Sequence, residues 1–303
     1  MNPSNLSRSM LSLLTLLYPT CSRSLAARIS AGPPIQDIRV SLNKPTPTRL
    51  AFRLSWGYLV VVEGSIANLH NLNFLVDTGA YPSIVDEKIA SDLGLSPQPA
   101  QVNVSNKTVS SRSVVVPSLL LGPLRAESLL VLTQDLSFFQ KTLGSKVDAI
   151  VGLDVLRKSG FTINYKTMEI VFGPIENMSF SASFETDSPV VTIPMESQHR
   201  HLRLVIDTGG PDLMLFQSRV SDSADFQTLG TEVVMDAGGE FQRRKVRIPE
   251  VYLGNYKLGS QIAFIADDRK NPGDAFDGVL GVRGARLWKI AFDFEHRRFC
   301  WER

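Results

Sequence analysis

An internal repeat constrains this chain more than any other feature of its sequence. Leu75-Val76-Asp77-Thr78-Gly79-Ala80 recurs as Val205-Ile206-Asp207-Thr208-Gly209-Gly210, with the two aspartates 130 residues apart. Downstream, Val147-Asp148-Ala149-Ile150-Val151-Gly152 recurs as Phe276-Asp277-Gly278-Val279-Leu280-Gly281, now 129 residues apart. The copies then run in step to their ends: Phe161, Ile163, Tyr165, Ile170 and Phe172 match Ile290, Phe292, Phe294, Phe299 and Trp301. A lag that barely changes over the length of a lobe means two copies of one folding unit. One Asp-Thr-Gly on its own can be a tight turn in any β protein. A bare turn gives no reason for both copies to keep the acid, the hydroxyl and the glycine together, at matched distance from an apolar-apolar-Gly element.

Both copies read as strands. From Tyr58 onward, short β-branched runs are divided by Gly, Asn and Ser. They fall at 58–62, 73–76, 113–116 and 129–132, and again at 190–193, 202–206 and 232–235. A helical pattern is visible at 85–93, ended by Gly94. Helices of adequate length do not alternate with the strands, which excludes a parallel α/β architecture and predicts an all-β fold.

Composition closes off other classes. A chain of 303 residues, 43% hydrophobic and 20% charged, has room for two ordinary domains and is neither disordered nor a coiled coil. With 32 basic and 30 acidic residues there is no basic field to recruit nucleic acid. Cys21 and Cys300 cannot form a disulfide framework, and the four histidines show no metal-ligand spacing, so neither metal nor cofactor is expected. Arg8, an apolar run at 10–17 and small residues at 24–27 are the parts of a secretory signal peptide, and the run is too short to span a bilayer. The expected organisation is a signal peptide at 1–27, giving a secreted or periplasmic protein, then an irregular leader or pro-segment at 28–48 holding at most a strand at 38–42. Lobes at 49–173 and 189–303 follow, joined by a polar, Ser-rich linker at 174–188 that lets them hinge.

The repeated residues suit one chemistry. An Asp on a sharp turn after a buried strand projects its carboxylate from the strand end. Gly79 and Gly209 permit close backbone geometry there, and Thr78 and Thr208 bring hydroxyls that can fix the turns. If the lobes pack about an approximate two-fold axis, Asp77 faces Asp207. Two carboxylates that close cannot easily both ionise, so the pair holds one proton and titrates as a unit. Such a pair can take a proton from water and polarise a carbonyl, which is general acid–base hydrolysis of an amide.

These motifs resemble those of pepsin-like and retropepsin-like aspartic peptidases. Leu75 to Ala80 with Ala149 to Gly152, and Val205 to Gly209 with Val279 to Gly281, match the family's catalytic turn and its apolar-apolar-Gly element. The similarity covers residues 55–303. Each short lobe is similar to a retropepsin-like domain, here present twice in tandem as in bacterial aspartyl-protease-like proteins. The resemblance implies an all-β, two-lobed acid-protease β-barrel fold with pseudo-two-fold symmetry. It implies catalytic roles for Asp77 and Asp207, turn support from Thr78, Gly79, Ala80, Thr208, Gly209 and Gly210, and no metal or organic cofactor. The implied substrate is an extended peptide or protein bound under hairpin flaps, whose tips fall by matched distance near Asn106 and near Gly238 and Gly239. With both half-sites in one chain, a monomer suffices for catalysis.

The second turn departs from the family pattern. Gly210, Pro211 and Asp212 stand where Ser, Thr or Ala and then apolar residues are usual, so the turn is expected to have less support. Two functions follow: an aspartic endopeptidase, favoured by both aspartates, or a weak or inactive pseudo-protease that binds peptides in the cleft, favoured by Gly210. Among neighbouring residues, Asp148 and Asp277 read as loop anchors and Arg157 and Arg286 as members of structural ion pairs. Asp212 reads as outward-facing, Tyr81 as lining the cleft or packing, and 243–245 as a solvated basic strand face.

Overall fold

A computed structural model describes residues 17–19, 47–104, 107–185, 189–197, 200–220, 226–236, 239–266 and 276–303. Its strands form two six-stranded rings and one bridging sheet. The first ring holds Leu59–Ile66, Leu69–Val76, Ala149–Val151, Ile84–Asp86, Leu124–Gln134 and Lys107–Leu121, and closes where the first and last of these pair. The second holds Thr192–Ser197, Arg200–Asp207, Gly278–Gly281, Leu213–Phe216, Tyr256–Ala266 and Gly239–Leu253, in the same order and with the same closure. Closure leaves neither ring open; Arg53–Ser55, Gln98–Val104 and Gln227–Asp236 are added outside the rings.

The burial of individual strands follows their place in the ring. Along Leu124–Gln134, Leu124, Ala126, Leu129 and Val131 face the core while Arg125, Glu127, Ser128 and Leu130 face out. The short strands Ala149–Val151 and Gly278–Gly281 are buried throughout. Each lies parallel to the strand that ends at its lobe's Asp-Thr-Gly, Ile150 beside Leu75 and Val279 beside Val205. A strand covered on both faces needs an uninterrupted apolar run, which explains why the repeat keeps one there.

The lobes are joined by a six-stranded sheet in the order Phe180–Ser183, Arg298–Glu302, Lys289–Asp293, Phe161–Asn164, Glu169–Phe172, Thr48–Ala51. Its central pair is antiparallel, with Phe161 opposite Phe292 and Ile163 opposite Ile290. The repeat maps each of these pairs onto the other, so the approximate two-fold axis passes through this ladder. The Phe161 and Phe292 rings stack at 4.9 Å, and Phe172, Phe299 and Trp301 are buried beside them.

Three features differ from the sequence reading or refine it. Within the expected 174–188 linker, Phe180–Ser183 is hydrogen-bonded to Arg298–Glu302 as an edge strand, because Ala182 and Phe184 turn into the core. Those four residues are therefore held in the sheet. Of the expected signal peptide, Leu17–Pro19 pairs with Gln98–Val104. The cleavage site after Ala27 and the 38–42 strand lie outside the described residues. The expected helix is Glu87–Asp92, capped by the Asp86 carboxylate accepting from the Lys88 N–H, with Gly94 at φ +65° just beyond it. Among the described residues, no helix is long and apolar enough to cross a membrane.

The stacked pair at the axis carries the contact between lobes. Phe292→Ala removes a fully buried ring there, and a loss of about 3–5 kcal/mol is expected in urea unfolding, with both lobes reporting it.

Candidate active site

The two Asp-Thr-Gly turns meet where the parallel strands end. The Asp77 N–H donates to the Val151 carbonyl at 3.0 Å, and Asp207 lies in register with Gly281. Within each turn the glycine N–H donates to the aspartate: Gly79 to Asp77 Oδ1 at 2.8 Å, and Gly209 to Asp207 Oδ1 at 2.7 Å. Those bonds fix the carboxylate planes. Asp77, Thr78, Asp207 and Thr208 are all at most 1% exposed.

Four hydrogen bonds cross between the lobes at this point. The Thr78 N–H donates to Thr208 Oγ1 at 3.0 Å, and the Thr208 N–H to Thr78 Oγ1 at 3.2 Å. Each hydroxyl in turn donates across the axis, Thr78 Oγ1 to the Ile206 carbonyl at 2.7 Å and Thr208 Oγ1 to the Val76 carbonyl at 2.8 Å. Each threonine thus satisfies a donor and an acceptor that have no water to turn to.

The glycines are required by the opposite lobe. A Cβ on Gly79 would sit 2.7 Å from Asp207 Cγ, and one on Gly209 would sit 2.5 Å from Asp77 Oδ2. Gly152 and Gly281 press equally closely on the carbonyls of Ala80 and Gly210. The Ala80 carbonyl also accepts from the Leu153 N–H at 3.0 Å. The apolar-apolar-Gly element therefore backs each turn directly.

Burial pushes the Asp207 carboxyl well above its ordinary value of 3.8, and the charge of Asp77 and a hydrogen bond to it act in the same direction. The N–H groups of Gly209 and Gly210 oppose this without reversing it. The pair therefore keeps a proton above the usual carboxylate range. Gly210, expected to weaken the second turn, supplies one of the amides that bond Asp207, and a Cβ there would fall 2.9 Å from Asp207 Oδ2.

The supporting residues sort differently from their sequence reading. Asp148 and Asp277 do anchor loops: they accept from the Asn73 and Arg203 N–H groups at 2.9 and 2.8 Å, clamping the strands that lead into the turns. Among the described residues Arg157 makes no ion pair; it donates to the Pro189 carbonyl at 2.6 Å and lies over the Tyr81 ring, which packs against the core. Arg286 is a turn residue at φ +57°, its N–H donating to the Arg283 carbonyl. Asp212 does not stand idle, and 243–245 is not a wholly solvated face: Arg243 is 2% exposed and donates to Asp212 at 3.1 Å.

Two contributors have no signal in the repeat. Asp154 is half-buried, and its loss of hydration pushes its carboxyl up; it accepts from both the Ser83 N–H at 2.9 Å and Ser83 Oγ at 2.6 Å. Ser83 Oγ in turn accepts from the Gly152 N–H at 2.9 Å, so the group braces the first turn from behind. The Tyr165 hydroxyl is buried, and burial followed by the charge on Asp207 pushes it above its ordinary value of 10.0 and keeps it a phenol. Its repeat partner is Phe294, so only a hydroxyl on one side of a matched aromatic pair marked it in advance.

Hairpins stand at both expected flap positions. Gln98–Val104 pairs with Lys107–Leu121 up to Val104 opposite Lys107, and Gln227–Asp236 pairs with Gly239–Leu253 up to Asp236 opposite Gly239. Gly239 opens the returning strand; Asn106 and Gly238 lie outside the described residues. Among the described residues, no three metal-ligating side chains come together.

Comparison with known families agrees with this geometry. Residues 62–155 and 191–283 each match the aspartyl protease family, and each match contains one Asp-Thr-Gly turn with its backing glycine. The matches take in more than half of the chain, which belongs to the aspartyl protease family as two tandem retropepsin-like lobes. No curated protein matches the chain.

The crossed hydroxyls set a stability test. Thr208→Val keeps the shape but leaves the Thr78 N–H and the Val76 carbonyl without their partners. At about 1–3 kcal/mol for each buried group so orphaned, a loss of at least about 2 kcal/mol is expected in urea unfolding.

Proposed function

We propose that this chain is an aspartic endopeptidase, hydrolysing peptide bonds with water activated between Asp77 and Asp207. The observation that carries this reading is the crossed seating of the pair, each carboxylate lying over the other lobe's glycine with its inner oxygen fixed by an amide. The pair holds one proton. The ionised partner takes a proton from the attacking water, while the protonated partner gives its own to the scissile carbonyl oxygen. A gem-diol forms with no covalent bond to the enzyme. Its collapse returns a proton to one aspartate and delivers one to the departing nitrogen. The raised proton affinity of Asp207 supports its role as the proton donor at the start, and the pair titrates as a unit.

In this reading both half-sites come from one chain, so a monomer is sufficient, and the substrate is an extended peptide lying under the two hairpins. Gly210 leaves no side-chain support after the second Asp-Thr-Gly, which is the specific observation behind the second reading, a peptide-binding pseudo-protease. The Gly210 amide bonded to Asp207 weighs against it. Export remains part of the proposal and rests on the 8–27 pattern. An N-terminus beginning at Arg28 in protein recovered outside the cell, read by intact mass, checks it.

Cleavage of a mixed peptide library decides between the two functions. Asp77→Asn and Asp207→Asn are each expected to lower the rate by at least about a hundredfold with folding retained, the scale of general acid–base catalysis. A statine-type mimic of the gem-diol should block the wild-type chain. Cleavage that survives either substitution, or none at any pH in the wild type, sinks the endopeptidase. Because one proton on the pair is needed, the rate should fall on the alkaline side at a pH above 3.8, where Asp207 loses its proton.

The same proton makes stability depend on pH. With the folded Asp207 binding its proton more tightly than the unfolded chain does, stability falls as pH rises from 3.8 through the folded value. Asp207→Asn removes this loss. The variant should be more resistant to urea than wild type at pH 7, and that advantage should vanish below 3.8.

A further inference from the structure

The second lobe carries a charged assembly at its cleft that the first lobe lacks. Arg243 lies on the returning strand of the second hairpin, directly opposite Glu232. Its Nε donates to Glu232 Oε1 at 2.7 Å, Nη2 approaches the same oxygen at 2.5 Å, and Nη2 donates to Asp212 Oδ2 at 3.1 Å. The guanidinium lies 3.6 Å from the centre of the Phe264 ring, and Nη1 is buried without a hydrogen-bond partner among the described residues. Asp212 belongs to the second catalytic turn: it is two residues past Gly210, and its carbonyl accepts from the Gly281 N–H at 2.8 Å. Its other carboxylate oxygen stands 4.0 Å from Arg283, whose guanidinium lies over the ring of Tyr58 in the first lobe. Charges of alternating sign therefore run within the second lobe, from Arg283 over the first-lobe ring of Tyr58, through Asp212 of the second turn, to Arg243 and Glu232 of the second hairpin.

The ring register shows what the first lobe has instead. Lys245 opposes Phe264 as Ser113 opposes Leu132, which places Ser111 at the position of Arg243. Ser111 opposes Ala100, the counterpart of Glu232, and Pro82 is the counterpart of Asp212. The first lobe closes the same barrel with none of these charges, so the barrel does not require them. Burying a guanidinium is unfavourable unless its partners compensate, and one of its nitrogens here has none. The first turn is braced independently, by Asp154 and Ser83 against Gly152, with no link to its hairpin in that set.

We propose that Arg243 is a positioning residue that couples the second hairpin to the second catalytic turn, so that the hairpin's closing over a peptide and the orientation of Asp207 move together. Among the described residues the first hairpin has no such link, and the two halves of the cleft respond unequally to substrate. The inference rests on the peptidase reading for its consequence in catalysis, while the coupling itself is a property of the chain without substrate.

The test uses the full chain with Arg243→Gln and Arg243→Lys, read by amide hydrogen exchange and by peptide cleavage. In Arg243→Gln, exchange should quicken about tenfold both at 227–236 and at 209–213, and stay unchanged at 149–153 and in the bridging sheet. The rate constant kcat should fall about tenfold or more with KM within about threefold, and Arg243→Lys, which keeps the charge, should recover part of both effects. Faster exchange in the hairpin alone overturns the coupling, as does faster exchange throughout the second barrel. A rise in KM with kcat unchanged also overturns it, because Arg243 would then be serving as a substrate contact. If the wild-type chain cleaves nothing, the peptidase reading fails by itself and exchange in the two segments still decides the coupling.

Discussion

The crossed threonine bonds are the interaction on which the site depends. Each hydroxyl accepts an N–H from the other lobe and donates to a carbonyl of the other lobe, so neither Asp-Thr-Gly turn is complete alone. Complete burial gives these bonds their weight, since the backbone groups involved have no solvent to fall back on. The bridging sheet works toward the same end from below, its central strands related by the same approximate axis. With the lobes held at both levels, the carboxylates are brought together at strand ends that cannot drift apart without orphaning polar groups.

That rigidity has an electrostatic consequence. Two buried acids pressed over one another's glycines cannot both carry charge, and the proton they keep is what a general acid–base pair needs. Placing Asp207 in this environment is expected to cost stability at neutral pH. The fold limits the damage with the amides of Gly209 and Gly210. Gly210 breaks the family's side-chain pattern yet brings a backbone donor to the carboxylate, so side-chain identity alone understates the support that the turn receives.

Departures from symmetry are where the two lobes take different roles. The first turn is backed by a local carboxylate and hydroxyl, Asp154 and Ser83, whereas the second is tied through Asp212 to a buried arginine on its hairpin. Tyr165 and Phe294 occupy matched places, and only the former sets a phenol under the influence of Asp207. Each of these differences is a polar group on one side of a duplicated apolar frame. One duplicated frame thus carries two different sets of polar contacts.

Much of this was legible in the residues alone. The repeat with its nearly constant lag determined that there are two like lobes, that they are built of strands, and that Asp77 and Asp207 end equivalent strands. The placing of the hairpins followed from matched distance. What a lag cannot convey is a contact made in one copy and not in the other. Arg243 reads as part of a basic surface run until the ring closes and turns it inward onto Asp212, 31 residues away. The polar stretch at 174–188 reads as a hinge until the edge of the bridging sheet, built from the chain's far end, claims Phe180–Ser183. Periodicity and motif are local and survive in one dimension. Burial and ion pairing depend on which distant segment arrives opposite, and that was decided only by the packing of the two barrels on their shared sheet.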